Sequence, residues 1–234
     1  HIEKKEDITV VCKDIEIDSE GGRYGIMQMD RDGRIEEFDE KPMVAKTNTI
    51  NCGIYVIRRR LLIELIEQCA KEDRFDFVRD IVIRFKDTKK VYGYKMDSYW
   101  SNIASVDDYY RTNMDFLDKD VRDYFYKDFP SIYSKVEDLP PAKYNFGSNV
   151  RNSLVSSGSI INGTVEDSVL FKKVFVGNNC VIKNSIILND VYIGDNTTIE
   201  NCIVESRGTI RANSYFKGEG DVKIVLEQNE RYVL

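Results

Sequence analysis

The sequence predicts an α/β region followed by a left-handed parallel β-helix made of hexapeptide repeats. Two patterns predict the β-helix. Four related motifs, NSLVS, DSVLF, NSIIL and NCIVE, recur at intervals of 15, 17 and 17 residues, and single aliphatic residues advance by five or six positions between them. A third pattern, short β-branched runs that alternate with helical periodicity in the first half, predicts the α/β region.

The chain divides into three predicted segments. Its composition changes near Tyr144 from charged and aromatic to repetitive and rich in Asn, Ser and Gly. We therefore expect part of an α/β domain at residues 1–120, a connector at 121–149 and a β-helix at 150–234.

The first segment alternates strands with helices. Apolar runs and periodicity predict strands at 7–13, 49–57 and 90–96, a β-hairpin at 24–38, and helices at 59–70, 75–85 and 106–117. The buried face of the first helix should carry Leu61, Leu62, Leu65 and Ile66. Ser105 and Asp108 form an S-x-x-D capping box at the start of the last helix. Strands are few and no complete nucleotide-binding βα turn occurs, so the region is typical of the second half of an α/β domain.

The connector is predicted to be irregular. It holds three of the four prolines and many aromatic residues, and Pro140–Pro141 disfavours both a helix and a central strand. A flexible linker is the alternative, but the aromatic residues favour a segment that packs along the β-helix.

Residues one coil apart should stack inside the β-helix. We expect one interior ladder of Val176, Ile193 and Ile210, and another of Ile182 and Ile199. A set of ordinary antiparallel strands is the alternative, and it explains the aliphatic residues but not the 17-residue register.

The corners of the coils need residues that tolerate a positive φ. We expect corners at Gly177–Asn178 and at Gly194–Asp195. Cys180 and Cys202 should pack against the β-helix.

Composition excludes several classes of partner. The formal charge of −6 argues against nucleic acid and against an anionic membrane. Five cysteines without a CxxC pair indicate reduced thiols, not disulfides or a zinc site. No apolar run approaches transmembrane length and no signal peptide is visible, so we expect a cytoplasmic protein.

Histidine is nearly absent. The only one is His1, which removes Ser–His and Cys–His nucleophile pairs and weakens the hypothesis of a hexapeptide-repeat acyltransferase, since that chemistry commonly uses a histidine base. The chain opens with His and not Met, as expected of a fragment or a processed product.

Four motifs in order carry a resemblance to a known family. EFDEKP, NCGIYVI, FDFVRDIV and YWSNIASVDDYY precede the hexapeptide repeats. In this order they resemble bacterial glucose-1-phosphate adenylyltransferase, which makes ADP-glucose and pyrophosphate from ATP and glucose 1-phosphate. The resemblance covers essentially the whole chain, and it implies the C-terminal part of a nucleotidyltransferase α/β domain followed by a β-helix.

The resemblance implies a site for glucose 1-phosphate or a related sugar phosphate. The family's EKP motif would place Glu40 against the sugar hydroxyls and Lys41, a compact cation, against the phosphate. Asn51 and Gly53 stand in the segment that lies near the sugar in the family. Asp76 belongs to a DFV sequence where the family has DFG, so its sugar contact loses the neighbouring glycine.

The resemblance also implies a defective metal site. Active members resemble YW-x-D-V-G-T, in which the aspartate helps to hold the Mg²⁺ of the family reaction. This chain has Asn102 at that position, and a neutral amide is a poor ligand for a hard cation. We therefore expect no catalytic residue, metal ion or cofactor site in this chain as given.

Among family members, these changes most resemble the D-type subunit of Gram-positive bacteria, a glycogen-biosynthesis protein considered regulatory beside a catalytic C-type subunit. The resemblance implies an oligomer with that partner or with copies of itself, assembled through the β-helix. Three alternatives stay open: a full-length chain that is an active sugar-phosphate nucleotidyltransferase, a hexapeptide-repeat acyltransferase, and a structural scaffold. The order of the motifs counts against the last two.

Overall fold

A computed structural model describes residues 1–16, 21–128, 133, 135 and 137–225. The chain forms two compact units, His1–Trp100 and Ser101–Leu234. The bounds predicted for the α/β part (1–120), the connector (121–149) and the β-helix (150–234) stay predictions. Residues 129–132, 134 and 136 of the connector lie outside the described residues.

The first unit contains one five-stranded sheet. Its strands are β1 (Ile8–Asp14), β2 (Gly25–Met29), β3 (Ile35–Glu40), β4 (Thr49–Ile57) and β5 (Val91–Lys95), in the order β3-β2-β4-β1-β5. β1 is antiparallel to β4 and parallel to β5. The predicted hairpin is formed by β2 and β3, and a 3₁₀ turn, Gly21–Arg23, precedes it. All of the strands predicted for this region are therefore present.

The core of the first unit lies on one face of this sheet. Alternate residues of β1, Ile8, Val10 and Cys12, are fully buried there and pack with Met27 and Val82. Burial of these side chains is the main stabilising contribution, at roughly 1.5–3 kcal/mol for each large aliphatic residue.

Two helical segments cover that core. Helix α1 (Arg59–Ala70) has the predicted bounds and buries Leu61, Leu65 and Cys69, but Ile66, predicted on the buried face, is 48% exposed. The second segment is a π-helical stretch, Phe77–Ile83. It begins two residues later than predicted because Asp76 keeps an extended backbone and accepts a hydrogen bond from the Arg79 N–H (2.8 Å).

The second unit is a parallel β-helix with helical segments before it. Its three sheets have the orders β18-β15-β12-β9-β6, β19-β16-β13-β10-β7 and β20-β17-β14-β11-β8. The strands are β6 Lys143–Tyr144, β7 Asn149–Arg151, β8 Leu154–Val155, β9 Ile160–Ile161, β10 Thr164–Glu166, β11 Val169–Leu170, β12 Phe175–Val176, β13 Val181–Lys183, β14 Ile186–Ile187, β15 Tyr192–Ile193, β16 Thr198–Glu200, β17 Cys202–Val204, β18 Thr209–Ile210, β19 Tyr215–Lys217 and β20 Lys223–Val225.

The predicted interior ladders are confirmed. Val176 pairs with Ile193 and Ile193 with Ile210, while Ile182 pairs with Ile199, all in parallel register. All five side chains are fully buried, and the thiols predicted to pack against the β-helix are buried in the same core. Each coil therefore completes the core of the next, as a solenoid requires.

The physical reason predicted for the corner glycines, a positive φ, was wrong. Gly177 and Gly194 do not have a positive φ; the left-handed residues are Asn179 (φ 56°) and Asn196 (φ 57°). Glycine is needed at 177 because a Cβ there would lie 2.8 Å from the backbone nitrogen of Asp195 in the next coil. Close stacking of coils, and not backbone conformation, selects these glycines.

The segment before the β-helix is helical for much of its length. Helix α2 (Val106–Asp115) begins at the predicted cap, where the Asp108 N–H donates to Ser105 Oγ (3.1 Å), but it ends two residues earlier than predicted. Helix α3 (Lys119–Asp123) and a π-helical turn (Tyr124–Asp128) follow. The connector is therefore not irregular at its start, since Asp118 caps α3 by accepting from the Asp120 N–H (2.6 Å).

One outer face of the β-helix is covered within this unit. Ile186 points away from the interior neighbour Ile187, yet both are fully buried. On this side Tyr110 Oη of α2 donates to the Asn184 carbonyl (2.7 Å). At the connector's other end, the Gly158 N–H donates to the Pro140 carbonyl (2.7 Å). Among the described helices, none has the length and apolarity that crossing a bilayer would require.

Candidate functional site

A bulge in β4 forms the centre of the candidate site. The pairing of β1 with β4 passes from Val11–Ile54 to Cys12–Asn51, so that two residues of β4, Cys52 and Gly53, are extra. Gly53 has a φ of +73°, which other residues rarely adopt, and a Cβ there would meet no atom within 4 Å. The bulge therefore exposes backbone next to open space.

Asn51 holds the bulge from inside. Its Oδ1 accepts a hydrogen bond from the Gly53 N–H (2.9 Å), and its Nδ2 donates to Tyr55 Oη (2.7 Å). Both polar ends of the amide are thus engaged, and each such bond contributes about 1 kcal/mol to stability. The side chain predicted to contact a sugar also organises the backbone around it.

Tyr55 links the predicted residues to one another. Its half-buried ring packs edge-on against Phe77, with 4.9 Å between centroids. Burial raises the pKa of the Tyr55 hydroxyl, the bond from Asn51 lowers it, and the carboxylates of Glu40 and Asp76 raise it further. Of the residues predicted from sequence, Asn51 therefore contacts a tyrosine that sequence reasoning missed, and the charges of Glu40 and Asp76 act on the hydroxyl of that tyrosine.

Trp100 fixes the other side of the bulge. Its Nε1–H donates to the Cys52 carbonyl (3.2 Å), and its ring lies edge-on to Tyr24 at 6.1 Å between centroids. Sequence reasoning also missed Trp100 as a site residue. The signal that could have found both aromatic residues is their place inside the quoted motifs NCGIYVI and YWSNIAS.

Glu40 and Lys41 stand where β3 ends. A Cβ on Gly25, the partner of Glu40 across the sheet, would come within 2.9 Å of Glu40 Oε2, so glycine leaves room for the carboxylate. Lys41 is exposed and has a φ of 50° immediately before Pro42. That conformation is uncommon for lysine, and strain of this kind concentrates at functional sites. Among the described residues, no side-chain hydrogen bond or ion pair joins Lys41 to Asn51, Tyr55 or Asp76.

Asp76 has two possible roles. It caps the π-helical segment, and its own N–H donates to Asp80 Oδ2 (3.0 Å). It also lines, with Phe77, an apolar pocket of about 330 Å³ between α1 and that segment. The cap alone accounts for an aspartate here, so a sugar contact is an additional role.

The arrangement has the chemistry of a hydroxyl-binding site. Carboxylates accept hydrogen bonds, while the amide and the phenol both donate and accept. The thiol of Cys52 is not an activated nucleophile, because burial raises its pKa. The groups of the site can bind and orient a polyol.

Comparison with known proteins places this chain in a family. The sequence model described as "Nucleotidyl transferase" matches residues 1–119, and the one described as "GlmU-like, C-terminal hexapeptide" matches residues 140–216. The chain belongs to the nucleotidyl transferase family. Its two matched regions confirm the predicted order of an α/β part and a hexapeptide β-helix.

Three curated relatives of this chain share a name. The glucose-1-phosphate adenylyltransferases of Clostridium acetobutylicum and Bacillus subtilis are each 34% identical over 185 residues, which is 78% of this chain and 48% of the relative. That of Thermosipho melanesiensis is 35% identical over 186 residues, 78% of this chain and 45% of the relative. The resemblance inferred from the motifs is thus confirmed, and the chain spans about half the length of the curated relatives it matches.

The described residues of this chain do not by themselves form a site for Mg²⁺. Among the described residues, no three His, Cys, Asp or Glu side chains come together as metal ligands. Asn102 lies partly buried ahead of α2 in the second unit, where its amide offers one neutral carbonyl oxygen. The nearby Asp108 carboxylate is engaged with Arg111 (2.9 Å) and with the Ala104 N–H (3.3 Å). No step of a reaction is therefore assigned to a metal ion here.

Proposed function

We propose that this chain is part of a regulatory, non-catalytic subunit of glucose-1-phosphate adenylyltransferase that acts in glycogen biosynthesis in the cytoplasm. Its partner would be a catalytic C-type subunit, with copies of itself as the alternative. Support for the family reaction comes from the name shared by relatives at 34–35% identity.

One observation carries the non-catalytic part of the proposal. Asn102 stands where the resemblance implies a metal-binding aspartate. The reaction must stabilise the charge on the α-phosphate while pyrophosphate leaves, and a divalent cation supplies several kcal/mol of that stabilisation. A neutral amide forfeits the charge that would hold such a cation in place.

The sugar-phosphate side of the site is proposed to be retained as a binding site. Glu40, Asn51 and Asp76 would accept or donate hydrogen bonds to glucose hydroxyls, Gly53 would admit the sugar close to the backbone, and Lys41 would pair with the phosphate. The hydrogen bond from Asn51 to Tyr55, and the charge effect of Glu40 and Asp76 on the Tyr55 hydroxyl, support this. Binding without turnover would let glucose 1-phosphate or a related sugar phosphate act on the partner through this chain.

The same cluster supports a second candidate, an active sugar-phosphate nucleotidyltransferase in the full-length chain. A single substitution separates the two. In the longest natural form of the protein, wild type should make no ADP-glucose from ATP and glucose 1-phosphate above background, and Asn102→Asp should raise Mg²⁺-dependent turnover if only the ligand is lost. Asn149→Asp, an exposed change of the same charge, is the control.

The outcomes of this assay are distinct. Strong synthesis by the wild-type chain alone would contradict the regulatory proposal and favour the active enzyme. If Asn102→Asp gave no gain in turnover, the loss of activity would involve more than this one residue. That result would still agree with a regulatory subunit.

A further inference from the structure

Asp80 is bonded in both directions to Asp76, the cap of the π-helical segment. The Asp76 N–H donates to Asp80 Oδ2 (3.0 Å), and the Asp80 N–H donates to the Asp76 carbonyl (2.8 Å). Asp76 Oδ1 accepts from the Arg79 N–H (2.8 Å), and among the described residues no hydrogen bond engages its other oxygen, Oδ2. Asp80 thus fixes the backbone of Asp76 and leaves a carboxylate oxygen that can accept from a ligand.

The end of helix α1 holds Asp80 in turn. Arg74 Nη1 donates to Asp80 Oδ1 (3.2 Å), so both carboxylate oxygens of Asp80 are engaged. The Cys69 thiol donates to the Asp80 carbonyl (3.4 Å), and the Arg74 N–H donates to the Cys69 carbonyl (3.0 Å). Because Cys69 is a buried residue of α1, these contacts tie Asp80 to the core of the first unit.

Arg74 is itself oriented by a second carboxylate. Its Nε lies 3.3 Å from Glu72 Oε2, and the same oxygen lies 2.8 Å from Arg84 Nη1. A guanidinium has its donors in a fixed planar fork, so one that bridges two carboxylates sets the direction of both. The bond from the Asp76 N–H lowers the pKa of Asp80, against the effect of burial, and the bond from Arg74 lowers it further. Asp80 is therefore an anion at neutral pH and accepts both bonds.

These contacts continue from Asp76 to the centre of the candidate site. Phe77 follows Asp76 directly, and its ring packs edge-on against Tyr55 with 4.9 Å between centroids. The Tyr55 hydroxyl in turn accepts from Asn51 Nδ2 (2.7 Å). A shift of the Asp76 backbone would therefore also move the ring that supports Tyr55. Groups that contact a ligand keep their geometry only when the residues behind them are held in this way.

We propose that Asp80, oriented by Arg74, is a positioning residue of the sugar-phosphate site. It sets the direction in which Asp76 Oδ2 accepts a hydrogen bond from a sugar hydroxyl, and it keeps Phe77 against Tyr55. Asp80 itself does not contact the sugar. The sugar contact of Asp76 rests on the proposed function, whereas the effect of Asp80 on Asp76 and Tyr55 does not.

Calorimetric titration of glucose 1-phosphate into the longest natural form of the protein tests the role in binding. Asp80→Ala should raise the Kd at least about 10-fold, because Asp76 loses its fixed direction toward the sugar. Asp80→Asn keeps an acceptor for the Asp76 N–H and loses only the charge, so it should raise the Kd less, by about 3-fold. In an Asp76→Ala background, Asp80→Ala should have no further effect, since both act through one carboxylate. Asp123→Asn, at an ion-paired aspartate of the second unit, is the matched control and should leave the Kd unchanged.

Two results would overturn the positioning role in binding. One is an Asp80→Ala variant that is folded by circular dichroism and binds as tightly as wild type. The other is an equal loss of affinity from Asp80→Ala with and without Asp76→Ala, which a general loss of structure would give. If Asp80→Ala does not fold, Arg74→Gln at a half-exposed side chain takes its place and should raise the Kd about 3-fold.

The pKa of Tyr55 gives a second readout that needs no ligand. The charge of Asp76 raises that pKa, so Asp80→Ala, which frees Asp76 to turn toward solvent, should lower it, and Asp76→Asn should abolish the difference. Tyrosinate absorbance against pH, taken as the difference from the same protein with Tyr55→Phe, measures it. If the wild type bound no glucose 1-phosphate, the proposed function would fail, and this pKa alone would decide the positioning role. An unchanged pKa of Tyr55 in folded Asp80→Ala would overturn that role.

Discussion

The β-helix and the first unit reach their order by different means. In the β-helix one arrangement recurs from coil to coil: an aliphatic ladder inside, left-handed residues at turns that are mostly Asn or Asp, and backbone bonds to the coil before and after. In the first unit the contacts around β4 occur once each, including the bulge at Gly53, the Asn51–Tyr55 bond and the Trp100 bond. The β-helix is thus built from repeated contacts, whereas the candidate site is built from contacts that occur once.

Core truncation should give the largest effect and show whether the two units are separate in stability. Ile187→Ala in the β-helix and Ile8→Ala in β1 each remove a fully buried side chain and should lower the free energy of unfolding by about 2–5 kcal/mol. The only tryptophan, Trp100, lies in the first unit, so its fluorescence in urea should move for Ile8→Ala. Far-UV circular dichroism should register Ile187→Ala.

Equal shifts of both signals in both variants would contradict the separation. The chain would then unfold as one cooperative body. The repeat and the irregular sheet would have to share their stability.

Glycine substitutions should distinguish crowding from backbone conformation. Gly177→Ala should cost about 1–3 kcal/mol because its Cβ would meet the next coil, and Gly53→Ala about 1–2 kcal/mol because of its positive φ. Asparagine tolerates a positive φ, so Gly53→Asn should recover part of the loss in chemical denaturation. Gly177→Asn should be worse than Gly177→Ala, and recovery at 177 would show that crowding is not the cause.

Loss of the amide in the bulge should give a smaller effect with a pH signature. Asn51→Ala removes two hydrogen bonds and should cost about 1–2 kcal/mol. It also removes the bond that lowers the pKa of Tyr55, so the pKa should rise further. Tyrosinate absorbance measured against pH checks this. In both the wild type and the Asn51→Ala variant, the contribution of Tyr55 is the difference from the same protein that also carries Tyr55→Phe.

The direction of that pH dependence follows from the pKa of Tyr55. Because burial raises it in the folded state, the folded protein holds the phenolic proton more tightly than the unfolded chain. Stability from this group is present below about pH 10, the ordinary tyrosine value, and is lost as pH rises through the folded pKa. Stability that increased above pH 10 through Tyr55 would contradict the geometry.

Surface ion pairs should give the smallest effects, with opposite pH dependence in the two regions. Lys95 lowers the pKa of Asp14 by a hydrogen bond to its carboxylate, so stability from Asp14 is present above about pH 4 and lost as pH falls. Asp14→Asn should cost less than about 1 kcal/mol at pH 7, since both partners are half exposed. Urea titrations at pH 7 and pH 3 measure both.

The ion pair of Lys217 and Glu200 in the β-helix depends on pH in the opposite direction. A hydrogen bond to Glu200 raises the pKa of Lys217, so its contribution is present at neutral pH and is lost as pH rises through the folded pKa. Lys217→Gln should remove that alkaline dependence, which urea titrations at neutral and alkaline pH measure. An alkaline dependence that persisted in Lys217→Gln would assign it to another group.

The sequence predicts the β-helix in more detail than the first unit. The ladder of Val176, Ile193 and Ile210 follows from spacing alone, because the same geometry recurs in every coil and every coil repeats the signal. The reason for Gly177 could not be read this way, since it depends on the distance to the coil above. Periodicity states which residues stack but not how closely their backbones approach.

The candidate site was predicted only in part. Motif resemblance indicated Asn51, which contacts Tyr55, and Glu40 and Asp76, whose charges act on the Tyr55 hydroxyl. The role of Tyr55 depends on a bulge that shifts the register of β4, and that of Trp100 on a bond to the Cys52 carbonyl. No local pattern encodes either contact. The importance of Asn102 rests on the resemblance alone.

The most direct test of the regulatory role is a titration of the longest natural form of this protein into the catalytic glucose-1-phosphate adenylyltransferase subunit of the same organism. ADP-glucose formation is measured at fixed catalytic subunit, with Lys41→Ala and Asn51→Ala variants beside wild type. The account predicts no synthesis by this protein alone, a saturable change in the catalytic subunit's rate or in its dependence on glucose 1-phosphate, and loss of that change in both variants. Synthesis by this protein alone, or a catalytic rate that stays constant throughout the titration, would contradict it.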